Sequence, residues 1–258
     1  MNLQVLVAAM NQKVDSLLEN MNIQSSAIIG NQCDINEICE FSYKGHQIKC
    51  LSFRERGVGL NRNNTLMRAT SDICVLADDD LRFKENYAEI VEKHFNENPN
   101  CDVIIFNLEG CDSRYIIKKK FKVGYKNFMR FGAARIAFRR KSITKNGITF
   151  NLHFGGGTEY SAGEDTLFLH DCLRKGLKIV AVPDSIATLL ENRESTWFKG
   201  YTDKYFLDRG ALFAAISKKW APLLCLQYAI RKRRLFIRDK SWFTAFKLML
   251  RGAKEFHS

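Results

Sequence analysis

The sequence predicts an α/β fold: a single, mostly parallel sheet flanked by helices, with a helical appendage at the C-terminus. Three observations carry that reading. Short apolar runs rich in β-branched residues alternate with stretches of helical spacing, as in β-α-β units. One run, Ile73-Cys74-Val75-Leu76-Ala77, ends in three carboxylates, Asp78, Asp79 and Asp80, and the ligand crevice of an open α/β sheet lies at the carboxyl ends of its strands. From Ser195 onward the chain reads as helical, with a break near Pro222.

The elements follow in order. Leu3 to Ala9 is the first strand, and Val14, Leu17, Leu18 and Met21 then keep helical spacing. Ala27 to Gly30 and Gln47 to Phe53 are the next strands. Arg54 to Asn64, with Gly57 and Gly59, reads as a loop before a short helix, Asn64 to Ala69. After the three acids a polar helical stretch runs from Lys84 to Asn98, and Asp102 to Asn107 is another buried strand. Residues 111–130 are basic and without clear period; Ala133 to Phe138 has strand character. A helix over Leu167 to Lys175 stops at Gly176, a glycine placed to cap it, and Lys178 to Val182 is the last strand. In the tail, Trp242, Ala245, Phe246 and Met249 share one helical face, with Ser241 as N-cap and Gly252 as stop. The organisation expected is a catalytic-type domain over residues 1–210 and a basic helical extension over 211–258.

Composition narrows the function classes. With 258 residues, 46% of them apolar and only three prolines, the chain can bury a large core and has little room for disordered linkers. The formal net charge of +12 is concentrated: Ala211 to Ser258 holds 11 Lys and Arg against two acids, which leaves the body close to neutral. The eight cysteines show no Cys-x-x-Cys spacing and no clustering with His, so reduced thiols in the cytosol are expected, with neither a disulfide framework nor a zinc site. The first residues lack the basic start of a signal peptide, and no apolar run reaches the length of a membrane span.

Three clusters carry chemistry. Three acids at a buried strand end repel one another and call for a counter-charge, which a divalent cation on a diphosphate would supply because hard cations take oxygen ligands. A solvated acidic turn capping the next helix is the plainer reading. Gly155-Gly156-Gly157 permits unusual backbone angles and close approach to a ligand, or is simply a flexible loop; no Gly-Lys-Ser/Thr follows it. Glu164 and Asp165 open a helix, where acids are ordinary dipole partners, and a cap is the plainer reading there as well.

Taken together and in this order, Gly57-Val58-Gly59-Leu60-Asn61-Arg62-Asn63-Asn64, the acids at 78–80 and Gly163-Glu164-Asp165 resemble the family 2 glycosyltransferases over about residues 3 to 200. Ser195-Thr196-Trp197-Phe198 and Gly200 resemble the polysaccharide-assembly members found in bacteria. The resemblance implies a GT-A fold, a nucleotide-diphospho-sugar donor, in the first instance a UDP-sugar, and inversion at the anomeric carbon. It implies that Asp78 faces the ribose, that Asp80, with Asp79 as a near-equivalent, ligates Mn²⁺ or Mg²⁺ on the diphosphate, and that Ala8, Ala9, Asn31 and Arg62 lie at the nucleotide. It implies Asp165 as general base toward the acceptor hydroxyl, with Glu164 placing the acceptor. Independently, a leaving diphosphate needs its charge neutralised and an acceptor hydroxyl needs a positioned carboxylate.

Two departures stand out. Gly30-Asn31 occupies the place of the family's base-contacting acid pair, although the Asn31 amide can still bond a base edge. Glu191-Asn192-Arg193-Glu194 occupies the place of a His that many relatives carry. Interleaved aromatic and basic residues in the tail suit contact with an anionic membrane surface and a saccharide or polyprenyl-linked acceptor, or else a helical pair closing on the core. No nucleic-acid-binding motif accompanies the charge. The rival readings are a sugar-nucleotide nucleotidyltransferase, which would want a glycine- and basic-rich loop where Met10-Asn11-Gln12-Lys13 stands, and a non-catalytic basic binding module.

Overall fold

A computed structural model describes residues 1–110, 116–190 and 198–256. The first half is built from β1 (Leu3–Met10), α1 (Val14–Asn20), β2 (Ser26–Gln32), β3 (Glu37–Tyr43), β4 (His46–Phe53), α2 (Val58–Arg68), β5 (Ile73–Asp78), β6 (Leu81–Phe83), α3 (Tyr87–Glu97) and β7 (Val103–Glu109). The second half adds β8 (Phe121–Val123), β9 (Ile136–Arg139), α4 (Arg140–Lys145), α5 (Glu164–Arg174), β10 (Ile179–Leu189), α6 (Asp203–Ile216), α7 (Ala221–Phe236) and α8 (Trp242–Glu255).

All ten strands join one sheet, in the order β3-β4-β2-β1-β5-β9-β7-β10-β6, with β8 on the side of β10. The block β4-β2-β1-β5 is parallel throughout. β9 runs antiparallel between β5 and β7, and β3, β6 and β8 add antiparallel pairings. Along β1, Val5 and Val7 face one layer of core and Leu6 the other, so both faces of the strand are covered, as parallel sheets require. One layer holds Leu17 and Leu18 of α1 with Tyr87, Val91 and Phe95 of α3; the other holds Phe168, Leu169 and Cys172 of α5. This is the α/β architecture expected, with the C-terminal helices in place.

Several boundaries differ from the sequence reading: β10 runs to Leu189, past the expected Val182, and Ala133–Arg135, expected as strand, is a 3₁₀ turn before β9. α2 begins at Val58, six residues before the expected helix, so Arg62 lies on a helix and not in a loop. Gly59 is there because a Cβ would strike the Asn151 carbonyl, a packing reason that looks like a loop signal in sequence. Gly252 is not a helix stop: it lies inside α8, buried against the Leu207 backbone of α6. Gly210 of α6 meets the Met249 carbonyl reciprocally, so the two helices cross with their backbones in contact. Ser241 does cap α8, accepting from the Thr244 N–H at 3.0 Å.

α6 runs through residue 210 without a break. The three tail helices share a core of Phe206, Leu212, Cys225, Phe236 and Met249, which Phe154 and Leu167 of the body complete. No described helix is long and apolar enough to cross a membrane. The described cysteines are free thiols.

Candidate active site

The register of the sheet assembles the donor side. Ala8 pairs with Asp78 across β1 and β5, and Ala9 pairs with Asn31 across β1 and β2, so these residues line up at the carboxyl ends of three adjacent parallel strands. The neighbouring groups are tied down. Asp79 Oδ2 accepts from the Met10 N–H (3.2 Å) and from Gln12 Nε2 (2.8 Å), which stitches the acid turn to the end of β1. Asn31 is buried and its amide clasps Gln12, accepting from its N–H at 3.1 Å and donating to its carbonyl at 2.9 Å. The carbonyl of Asp80 accepts from the Leu190 N–H at 2.9 Å, and all three acids are half-buried.

Helix α2 supplies the frame. Asn61, Arg62 and Asn63 are all buried, an unusual placement for three consecutive polar residues, since buried polar groups are costly without partners. Asn61 Nδ2 donates to the carbonyls of Ala9 (3.2 Å) and Gly30 (2.8 Å) and so pins β1 to β2. Any side chain at residue 30 would collide with the Asn61 amide, which is a physical reason for glycine at the first of the two departures. Asn63 exchanges two bonds with the Phe150 backbone and fixes the segment that leads to the glycine loop.

Arg62 is the link between the two acid clusters. Nη2 donates to Asp78 Oδ1 at 2.7 Å and Nη1 to Glu164 Oε1 at 2.6 Å. Its guanidinium lies 5.5 Å from the centroid of the Phe150 ring. Burial opposes its charge, but Asp78 and Glu164 outweigh burial and hold it protonated. The sequence places Arg62 near the nucleotide; the structure shows its fork engaged by one carboxylate from each side.

Glu164 and Asp165 stand in the first turn of α5. Asp165 is half-buried, accepts from the Thr166 N–H at 2.6 Å, and lies against Gly132. Burial first, then the charge of Glu164, push its carboxyl up to about 7, and Arg62 opposes the shift. A carboxyl near 7 divides its time between holding and releasing a proton at neutral pH, which suits general-base work.

The glycine loop is held and not free. The Val58 N–H donates to the Gly156 carbonyl at 3.0 Å and the Gly155 N–H to the Tyr160 carbonyl at 2.8 Å. Gly155, at φ +108°, leaves room for Val58 and for the Glu164 carboxylate, which any Cβ would displace. Its glycines therefore serve close packing beneath the acids.

Among the described residues no three His, Cys, Asp or Glu side chains converge into a ready metal cage. Glu191 to Trp197 lie outside the described residues, and with them the whole Glu191–Glu194 feature and the Ser195 to Trp197 part of the second.

The fold can now be compared with known structures. The chain is similar to Staphylococcus aureus TarS (residues 1–349) in complex with UDP-GlcNAc, with a TM-score of 0.66 at 11% identity, covering 100% of this chain and 93% of that one. It is also similar to a Pyrobaculum calidifontis mannosyltransferase, PcManGT, in complex with GDP-Man and Mn²⁺, with a TM-score of 0.54 at 13% identity, covering 100% of this chain and 76% of that one. The chain therefore has the GT-A fold. Residues 34–159 match the model of Glycosyl transferase family 2, so the resemblance read from the motifs is borne out and glycosyl transfer is the reaction class supported. That match includes Arg62 and Asp78 to Asp80 and ends before Glu164 and Asp165. No curated protein matches the chain by sequence.

Proposed function

We propose that this protein is an inverting glycosyltransferase that moves a sugar from a nucleotide-diphospho-sugar, in the first instance a UDP-sugar, to a hydroxyl of a saccharide or polyprenyl-linked acceptor in surface-polysaccharide synthesis. The observation that carries the reading is the Arg62 bridge, because it holds strand-end acids and a helix-start carboxylate pair on one crevice. Two carboxylate clusters answer the two needs of the reaction. UDP-GlcNAc in TarS favours uridine, while GDP-Man in PcManGT keeps guanosine in the test.

In this reading the ends of β1 and β2, at Ala8, Ala9 and Asn31, receive the base, and Asp78 faces the ribose. Asp80 and Asp79 are the ligands for Mg²⁺ or Mn²⁺. Carboxylate oxygens are the donors that either of these hard cations takes. Such an ion, when bound, neutralises charge on the departing diphosphate. Asp165 accepts the proton of the acceptor hydroxyl as that oxygen bonds to the anomeric carbon from the face opposite the leaving group. The bond from the anomeric carbon to the diphosphate oxygen breaks, the nucleoside diphosphate departs, and the configuration inverts. Glu164, fixed by Arg62, holds the acceptor.

The setting proposed is the cytoplasm, peripheral on the inner face of the membrane. Free thiols and the exposed basic surface of α7 and α8 support this. A screen of UDP-, GDP- and dTDP-sugars with Mn²⁺ or Mg²⁺ tests the function: slow donor hydrolysis is expected with one nucleotide class. Binding and hydrolysis of none would remove the reading in favour of a non-catalytic basic module. Pyrophosphate-dependent formation of a sugar nucleotide would favour the nucleotidyltransferase.

A further inference from the structure

Arg209 has no part in the mechanism above, yet its helix packs on the turn that leads into the proposed base. It lies on α6, whose Asp208 accepts from the N–H (3.0 Å) and hydroxyl (2.7 Å) of Ser161, and whose Leu212 packs against Gly163. Those contacts seat this part of α6 on the turn that leads into Glu164 and Asp165. The guanidinium is sandwiched by two phenols, 5.5 Å from the Tyr205 ring centroid and 5.3 Å from that of Tyr228. The two hydroxyls bond each other at 2.6 Å. Among the described residues only one of its five N–H donors finds a partner, the Tyr205 hydroxyl at a long 3.4 Å, and no carboxylate lies within ion-pairing distance.

Half-buried arginine is ordinarily matched by a carboxylate, since a desolvated charge is costly alone. Here the neighbours are two phenols. In a pair of phenols one hydroxyl donates to the other, which leaves a second O–H to donate outward. Burial holds Tyr228 neutral, so no phenolate neutralises the cation. Through Asp208 and Leu212, α6 packs on the turn that opens α5, which puts Arg209 on the Glu164–Asp165 side of the crevice.

We propose that Arg209, framed by Tyr205 and Tyr228, is an acceptor subsite for a phosphate group, so that the acceptor carries phosphate close to the hydroxyl that is glycosylated. A planar fork of donors with an adjacent phenol fits tetrahedral phosphate oxygens, and the rings give the neighbouring sugar or polyol an apolar platform. This inference rests on the glycosyltransferase reading and names the class of its acceptor.

The test uses the full chain loaded with saturating UDP and Mg²⁺, which occupies the donor diphosphate position. Orthophosphate is then titrated in and its affinity is read by calorimetry. The parent should bind phosphate. Arg209→Gln should bind it roughly tenfold more weakly, about 1.4 kcal/mol, the scale of one charge-assisted hydrogen bond. Arg209→Lys should fall between, and UDP affinity should stay within about twofold of the parent in both. Circular dichroism melting confirms that each variant is folded, and Tyr228→Phe, which keeps the cation, is a second probe expected to weaken phosphate binding less than Arg209→Gln. Competition by a soluble polyol phosphodiester or by a short isoprenyl diphosphate distinguishes a phosphate-bearing polymer from a lipid carrier. Equal phosphate affinity in parent and folded Arg209→Gln would overturn the subsite, as would loss of UDP affinity in that variant, which would place Arg209 on the donor side. Failure of the parent to bind UDP at all would instead count against the glycosyltransferase reading itself.

Discussion

At the scale of single residues, Asp165 makes the sharpest claim. With a carboxyl near 7 in the free protein, kcat/KM for transfer should rise with pH and level off above about 7, because only the deprotonated form can take the acceptor proton. Asp165→Asn should lose about 10² to 10⁴ in turnover while keeping nucleotide affinity. Its stability should move the other way. A carboxyl whose folded pKa lies above its unfolded value holds its proton more tightly when folded. That stabilisation is complete below about pH 4 and is lost as pH rises through about 7. Asparagine has no proton to lose and can still accept from the Thr166 N–H, so at pH 8 the variant should melt no earlier than the parent. A helix cap behaves oppositely, with about 1 kcal/mol lost and turnover near normal. Melting temperature and single-turnover rate on one preparation separate the two. The acids at 78–80 and 164–165 were legible in sequence because a carboxylate at a strand end or helix start is a local pattern. Asn61, Asn63 and Gly30 were not, because their roles are contacts between residues 31 to 87 positions apart. Arg209 carried no such pattern, falling just before the basic stretch that begins at Ala211.

At the scale of elements, sequence legibility followed burial. β1 and β5 were read to within one residue and β2 to within two at either end, because both faces are buried and their runs are continuous. β3 was missed: most of its residues are exposed, and on this edge strand only Phe41 and Tyr43 pack against the core. β9 was seen as a strand, but its antiparallel direction is set by neighbours on both sides and not by its own residues. The α6–α8 crossing yields a firm expectation. Gly210→Ala drives a methyl into the Met249 carbonyl and Gly252→Ala one into the Leu207 backbone, so either should cost about 1–3 kcal/mol or more by overpacking, read as a lowered midpoint in urea. Parent-like midpoints for both would mean that the helices do not cross as described. Removing α8 altogether would unseat α6, so the tail charges are better probed by substitution than by truncation.

At the scale of the whole molecule, acidic chemistry and basic surface are separated. Arg231, Lys232, Arg233 and Arg234 are exposed on α7, near the exposed Ile237, Trp242 and Phe243 of the α7–α8 corner. On an anionic surface each basic residue contributes about 1 kcal/mol. Converting these four to Gln should therefore release the protein from phosphatidylglycerol vesicles, with parent binding that weakens in salt and donor hydrolysis unchanged. Equal sedimentation of parent and variant would leave the tail as packing alone. The central claim concerns the crevice that the Arg62 bridge spans, and isothermal titration of UDP in the presence and absence of Mn²⁺ addresses it most directly. The account predicts metal-dependent UDP binding by the parent, strongly weakened in Asp80→Asn, and retained in Asp165→Asn. Affinity indifferent to the metal, and equal in the parent, Asp79→Asn and Asp80→Asn, would contradict it.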